Sequence, residues 1–171
     1  MRLQPVGRPP VLLWNRNTDQ GAIVARSAAP YAAESDAAAA DRLIMTKPLV
    51  AVVEDDPDTQ TTLARVLRIG GYETALYASG EEFLSFPPTS SPIGLLLDVD
   101  LSGMSGLDLQ RRLRDEGSTI PVIIITAFDD LRSCEQAERL GCVAYLRKPC
   151  EAETILALLR RLAHDQPASN P

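Results

Sequence analysis

The chain has 171 residues, 45% of them hydrophobic and 23% charged, and its formal net charge is −6. This length suits one domain with a full core, and the negative charge argues against DNA binding, which calls for clustered Lys and Arg. No apolar run approaches the roughly 18 residues of a membrane span, and the three cysteines lack the CxxC spacing of redox and metal sites. We therefore expect a cytoplasmic protein with no DNA and no membrane partner.

The first 45 residues differ in character from the rest. They contain four prolines and an Ala-rich stretch at 32–40, and they show no strand and no helical stripe beyond a short one around Ala32–Leu43. We expect residues 1–45 to be a disordered extension, residues 46–164 to be the folded domain and residues 165–171 to be a tail. Because Met45 immediately precedes the first convincing strand, we interpret it as the natural start and residues 1–44 as the product of an upstream start choice; a functional N-terminal arm is the alternative.

From Lys47 onward, apolar runs and turn residues predict five strands that alternate with five helices. The strands are predicted at Leu49–Val53, Tyr72–Tyr77, Leu95–Asp98, Pro121–Thr126 and Val143–Leu146. The helices are predicted at Asp58–Ile69, Ser79–Phe86, Leu107–Arg114, Asp129–Leu140 and Glu151–Ala163.

This alternation is typical of an α/β fold with a doubly wound, five-stranded parallel sheet. The first, third and fourth strands are apolar throughout, which predicts central positions covered on both faces. The second strand carries Glu73 and Thr74 and suits an edge. The burial pattern fits the flavodoxin-like order 2-1-3-4-5, in which the site lies off the carboxyl ends of the strands.

Polar residues collect at the predicted carboxyl edge of the sheet. Glu54 and Asp55 follow the first strand, Asp98 ends the third, Thr126 ends the fourth and Lys148 follows the fifth. Crowded carboxylates repel each other unless a cation lies among them, and a few carboxylates with water are the ligands that Mg²⁺ takes. Taken singly, each residue also fits a structural role as a cap, a strand residue or a surface lysine, but their placement on one edge favours a site that puts a phosphoryl group on Asp98.

Four motifs in order along the chain resemble the receiver domain of bacterial two-component response regulators, a CheY-like family. They are Val52–Asp56 (an acidic pair), Leu97–Leu107 (a phosphoacceptor loop), Ile124–Ala127 (a switch motif) and Tyr145–Pro149 (a lysine motif). The sequence Gly-Met-Ser-Gly-Leu within the loop is most similar to the FixJ-like subgroup. The resemblance covers about residues 47–163 without a gap.

The resemblance implies a phosphoacceptor and a metal site. Asp98 would accept the phosphoryl group and contact Mg²⁺. Asp55 would bind the ion directly, Glu54 would bind it through water, and the backbone carbonyl of Asp100 would complete the protein's share.

The resemblance also implies a switch. Thr126 and Lys148 would bind the phosphoryl oxygens, and Tyr145 would swing inward when Thr126 moves. The surface of the fourth helix, fifth strand and fifth helix would then change. This surface is also where we expect a homodimer to form.

Two residues of the phosphoacceptor loop depart from the family's pattern. Asp100 replaces the usual Arg or Asn two positions after the phosphoacceptor, from which we predict an altered lifetime of the acyl phosphate. Ser102 replaces the common Pro, from which we expect a looser loop.

The expected function is therefore a single-domain response regulator rather than an enzyme. Its phosphoryl group would come from a sensor histidine kinase or a histidine phosphotransfer protein, and its downstream partner would be an unknown protein. FixJ-like regulators continue into a DNA-binding domain, whereas this chain stops eight residues after the last predicted helix. We therefore expect a stand-alone receiver with no output domain.

Two other functions stay open at this point. One is a phosphatase of the haloacid-dehalogenase-like class, because Asp98 and Asp100 resemble its DxD strand, with Asp98 as nucleophile and Asp100 as general acid and base. The acidic pair lies upstream of that strand, however, whereas such enzymes need an acidic motif after the lysine. The other is a receiver fold that acts by protein contact without phosphorylation.

Overall fold

The computed structural model describes residues 47–127 and 131–165. The expectations for residues 1–45, namely disorder, a short helix around 32–43 and a natural start at Met45, lie outside the described residues. Residues 129 and 130 of the predicted fourth helix and residues 166–171 of the predicted tail lie outside them as well.

Strands and helices alternate along the described chain, as the apolar runs and turn residues predict. The strands are β1 (Leu49–Val53), β2 (Glu73–Tyr77), β3 (Gly94–Leu97), β4 (Val122–Thr126) and β5 (Ala144–Arg147). The helices are α1 (Pro57–Ile69), α2 (Gly80–Ser85), α3 (Gly106–Asp115), α4 (Leu131–Arg139) and α5 (Ala152–Asp165).

The five strands form one parallel sheet in the order β2-β1-β3-β4-β5. This confirms the predicted fold class and strand order. β3 and β4 are buried along their whole length, whereas β2 is largely accessible and lies at an edge. β2 lies on one side of β1 and β3 lies on the other, so the order of the strands reverses direction at β1. The carboxyl ends of β1 and β3 therefore form the crevice where ligands bind in such folds.

Each face of the sheet packs against its own apolar cluster. On one face, Val50 and Val52 of β1 and Leu96 of β3 pack with residues of α1 and α5. On the other face, Leu95 and Leu97 pack with residues of α2, α3 and α4. The alternation follows from the period of two along a strand.

The helix ends follow from capping residues and breakers. Asp56 caps α1 by accepting a hydrogen bond from the Thr59 amide at 2.7 Å, and proline occupies the first helical position. α5 extends to Asp165, two residues beyond the predicted end. The first helix breaker after it is Pro167, so local sequence does not stop the helix earlier. None of the helices within residues 47–127 and 131–165 has the length and apolar character of a membrane span.

Candidate phosphoacceptor site

The backbone ladder of the sheet continues one residue past β1 and β3 and thereby places two carboxylates side by side. The Glu54 amide donates to the Tyr77 carbonyl at 3.0 Å, and the Asp98 amide donates to the Val53 carbonyl at 3.0 Å. Both side chains are buried, with exposed fractions of 2% for Glu54 and 6% for Asp98. Buried carboxylates need a partner, because an unpaired charge in the interior is costly.

Lys148 supplies that partner from the end of β5. Its amide donates to the Thr126 carbonyl at 2.7 Å, and the peptide bond that joins it to Pro149 is cis. Its Nζ donates to Asp98 Oδ2 and to Glu54 Oε2, in both cases at 2.7 Å. One ammonium therefore contacts two carboxylates that are distant in sequence: Asp98 is 50 positions from Lys148, and Glu54 is 94 positions from it. These contacts join the ends of β1, β3 and β5 at the carboxyl edge of the sheet.

The charges at this bridge affect one another. Burial by itself would lower the pKa of Lys148, but the hydrogen bonds to Asp98 and Glu54 outweigh it and the pKa is raised. Burial raises the pKa of Glu54 by more than the hydrogen bond from Lys148 lowers it. Lys148 is therefore an ammonium at neutral pH, and it can neutralise charge on any group bound at Asp98.

Asp55 lies next to this bridge and is held by the loop between β3 and α3. Its Oδ2 accepts hydrogen bonds from the Ser102 hydroxyl at 2.6 Å and from the Ser102 amide at 2.9 Å. The hydroxyl contact is the main cause that lowers the pKa of Asp55. Ser102 was expected to loosen the loop, and the structure instead shows it fastened to the β1–α1 loop.

Three carboxylates converge at the mouth of the crevice. Glu54, Asp55 and Asp98 each offer one oxygen, and these oxygens all lie within 4.8 Å of one another. Glu54 Oε1 is buried and has no hydrogen-bond partner. An orphaned carboxylate oxygen beside two further carboxylates is the donor set that a hard divalent cation takes. The residues therefore fit a Mg²⁺ ion.

Thr126 contacts Asp100 across the mouth of the crevice. Thr126 is the last residue of β4 and is fully buried, and its Oγ1 donates to Asp100 Oδ2 at 3.1 Å. Asp100 is exposed, and its amide donates to Asp98 Oδ1 at 3.2 Å. Asp100 therefore connects the hydroxyl of Thr126 to the carboxylate of Asp98.

Glycine is required where the β3–α3 loop turns back over Asp98. A Cβ on Gly106 would lie 1.9 Å from the Asp98 carbonyl oxygen, a backbone atom that no side-chain rotation can move. Gly103 has a φ of 94°, which favours glycine. Between them, the Met104 amide donates to Glu81 Oε1 at 2.8 Å, so that α2 also anchors this loop.

The positions of the predicted site residues agree with the sequence analysis, whereas their roles stay predictions. The structure brings Glu54, Asp55, Asp98 and Lys148 together and joins Thr126 to Asp100. Tyr145 lies in β5, half buried, and packs against the cluster on the face of α2, α3 and α4. The predicted role of the Asp100 carbonyl in metal binding is not tested by these contacts.

Sequence reasoning missed two contributors to the site. One is Gln60, whose Nε2 donates to the carbonyls of Glu54 and Tyr77 at 3.2 and 3.1 Å and so braces the end of β1. The other is Ser102, whose departure from the family's proline was visible but whose partner, 47 residues away, was not. A polar side chain on the inward face of α1 is the signal that would have pointed to Gln60.

Comparison with known proteins gives a consistent family. Residues 50–160 match the family described as "Response regulator receiver domain". The DNA-binding transcriptional regulator NtrC of Klebsiella pneumoniae is 33% identical over 128 residues, which cover 74% of this chain and 27% of NtrC. The transcriptional regulatory protein FixJ of Rhizobium meliloti is 32% identical over 117 residues, which cover 68% of this chain and 57% of FixJ. The chain thus spans about a quarter to a little over half the length of these relatives.

Solved structures show the same fold. The crystal structure of FixJ-N superposes with a TM-score of 0.65 and 31% sequence identity, and the match covers 72% of this chain and 99% of FixJ-N. A CheY-like receiver domain protein from Methanospirillum hungatei superposes with a TM-score of 0.64 at 22% identity, over 71% of this chain and all of that one. The match to FixJ-N agrees with the FixJ-like sequence of the phosphoacceptor loop.

Proposed function

The chain belongs to the response regulator receiver family, and from this membership and the geometry of its site we propose that Asp98 accepts a phosphoryl group in a two-component phosphorelay. The donor would be a phosphohistidine on a sensor histidine kinase or on a histidine phosphotransfer protein. The observation that carries the proposal is the Lys148 ammonium at 2.7 Å from Asp98 Oδ2, next to a cluster of two buried carboxylates and one half-buried carboxylate that fits a cation.

The proposed reaction is the transfer of a phosphoryl group between two nucleophiles. A carboxylate oxygen of Asp98 attacks phosphorus, and the P–N bond of the donor breaks with its electron pair remaining on the histidine nitrogen. Lys148 neutralises charge on the transferred phosphoryl oxygens. In the resting protein this ammonium already contacts Asp98, so little rearrangement is needed for it to follow the phosphoryl group.

We propose Mg²⁺ as the cofactor of this transfer. Asp55 and Asp98 would bind the ion directly, Glu54 would bind it through water, and the Asp100 carbonyl would complete the set. A bound Mg²⁺ would neutralise charge on the phosphoryl oxygens. The support from this chain is the orphaned Glu54 Oε1 and the convergence of three carboxylate oxygens.

Phosphorylation would act on the rest of the protein through Thr126. In the resting state the Thr126 hydroxyl donates a hydrogen bond to Asp100 Oδ2 at 3.1 Å. The phosphoryl oxygens would compete with Asp100 for this hydrogen bond. Movement of Thr126 would let Tyr145 pack inward and change the surface formed by α4, β5 and α5. A downstream protein, or a second copy of this chain, would read that surface.

The proposal is tested by incubating the protein with acetyl phosphate and Mg²⁺ and measuring intact mass. We expect the wild type to gain one phosphoryl group and the Asp98→Ala variant to gain none. EDTA should abolish the gain as well. An unmodified wild type would favour the receiver that acts by protein contact alone. Rapid multiple turnover of phosphomonoesters would instead support the phosphatase alternative, in which Asp100 is the general acid and base.

Removal of the Asp100 carboxylate should lengthen the life of the acyl phosphate. In Asp100→Ala, the Thr126 hydroxyl loses an acceptor that competes with the phosphoryl oxygens for its hydrogen bond. One hydrogen bond contributes about 1 kcal/mol, so we expect the half-life to rise about fivefold. Asp100→Asn keeps an acceptor oxygen without the charge and should give an intermediate half-life. The half-lives are measured as loss of the added phosphoryl mass, and a half-life equal to or shorter than that of the wild type would contradict the role of Asp100.

A further inference from the structure

Ser102 makes a pair of hydrogen bonds that fix one side chain of the acidic cluster. Its hydroxyl and its amide both donate to Asp55 Oδ2, at 2.6 and 2.9 Å. We propose that Ser102 is a positioning residue for the metal site, which holds the Asp55 carboxylate in the orientation that binds Mg²⁺. This inference rests on the proposed Mg²⁺ site and adds a residue to it.

The convergence of two donors on one oxygen is what gives Ser102 this role. Asp55 is only half buried, so packing alone leaves its side chain free to turn about the Cα–Cβ bond. A turn away from Glu54 and Asp98 would break both hydrogen bonds from Ser102. The carboxylate is therefore fixed before any ion arrives, which spares the binding step the cost of ordering it.

Ser102 itself lies on a loop that is anchored independently. The neighbouring Met104 amide donates to Glu81 Oε1 at 2.8 Å, and Gly106 packs directly on the Asp98 carbonyl. The loop therefore has anchors besides Ser102, so loss of the Ser102 hydroxyl should affect the Asp55 carboxylate more than the position of the loop. The serine hydroxyl also contributes a bond to Asp55 that proline, which has neither a hydroxyl nor an amide hydrogen, does not offer.

The test is a titration of the unphosphorylated protein with Mg²⁺, followed by amide NMR shifts at the carboxyl edge of the sheet. Residues that orient metal ligands typically change metal affinity by 10- to 100-fold when lost. We expect Ser102→Ala to raise the Kd for Mg²⁺ by about tenfold, at the low end of this range, because the hydrogen bond from the backbone amide of residue 102 to Asp55 remains. Ser102→Thr retains the hydroxyl at an exposed position and should stay within about twofold of the wild type.

Ser105→Ala is the matched control in the same loop. The Ser105 hydroxyl caps α3 through Asp108 and does not contact Asp55. Its loss weakens the helix start and should lower the unfolding midpoint while leaving the Kd for Mg²⁺ within about twofold of the wild type. The control therefore distinguishes an effect of a destabilised loop on Mg²⁺ binding from an effect of losing the hydrogen bond between the Ser102 hydroxyl and Asp55.

Each outcome of the titration bears on one proposal. Unchanged or tighter Mg²⁺ binding by Ser102→Ala would overturn the role of Ser102 and leave the proposed function standing. Equal weakening in Ser102→Ala and Ser105→Ala would assign the effect to the loop and also overturn it. A wild type that shows no Mg²⁺-dependent shifts at this edge would overturn the proposed metal site and the inference with it.

Discussion

Gly106→Ala is expected to lower the free energy of unfolding by about 3 kcal/mol or more. The added Cβ would lie 1.9 Å from the Asp98 carbonyl oxygen and 2.8 Å from its carbonyl carbon. Both are backbone atoms at the end of a central strand, so they cannot move without disturbing the pairing of β3 with its neighbours. The measurement is chemical denaturation in EDTA. Because the displaced residue is the proposed phosphoacceptor, phosphorylation by acetyl phosphate should also be lost.

The chain offers a matched control for this change. Gly80 is the first residue of α2, as Gly106 is the first residue of α3. A Cβ on Gly80 would lie no closer than 3.4 Å to the nearest atom, the Met104 Sδ, which is ordinary contact with a flexible side chain. We expect Gly80→Ala to change stability by less than about 1 kcal/mol. Equal effects of the two substitutions would show that glycine matters at position 106 as the first residue of a helix rather than for its approach to Asp98.

Lys148→Met is expected to lower the free energy of unfolding by about 3 kcal/mol at neutral pH, because it leaves two buried carboxylates without their shared partner. Lys148 contacts Asp98 and Glu54 at 2.7 Å each, and its own side chain is only 21% exposed. Methionine retains most of the packing of the lysine stem. Part of the loss should be recovered when Mg²⁺ replaces EDTA, because the cation then stabilises the carboxylates that the ammonium has left.

The pH dependence of this variant follows from Glu54. Burial already raises the pKa of Glu54, and removal of the hydrogen bond from Lys148 should raise it further. A carboxyl whose folded-state pKa is raised contributes stability that is complete below its ordinary value of 4.5 and is lost as the pH rises through the folded-state pKa. The deficit of Lys148→Met should therefore shrink as the pH falls through the raised folded-state pKa of Glu54, and the shrinkage should be complete once the pH has fallen to about 4.5.

The only other lysine of the chain, Lys47, serves as the control because it also precedes a proline and is exposed. Lys47→Met should change stability by less than about 0.5 kcal/mol at every pH. A Lys148→Met variant as stable as the wild type in EDTA at neutral pH would contradict the account of the bridge.

The fold could be predicted from the sequence because its signals are local. Apolar runs such as Leu95–Leu97 mark strands covered on both faces, and Gly71 and Gly141, with φ of 89° and 77°, mark the ends of α1 and α4. Strand order followed from burial, since polar residues on the second strand suit an edge. The ends of helices were less predictable, as α5 shows, because its last turn contains no breaker.

The sequence predicted which residues gather at the carboxyl edge of the sheet, but it did not predict the hydrogen bonds between them. Parallel strands meet at one edge, so residues that follow strands are brought together wherever they lie in the chain. The hydrogen bonds that orient them depend on loop geometry that local sequence does not encode. Ser102 was expected to loosen a loop that it in fact fastens to Asp55, and Asp100 was noted for its charge, whereas its contact with Thr126 emerged only from the fold.

The central claim, that Asp98 is the phosphoacceptor, is tested most directly by mapping the modified residue. The protein is incubated with acetyl phosphate and Mg²⁺ and then reduced with borohydride, which converts a phosphorylated aspartate into homoserine. Peptide mass spectrometry then locates the change. The account predicts homoserine at position 98 and at no other aspartate. Conversion at Asp55 or Asp100 with position 98 unchanged would contradict it.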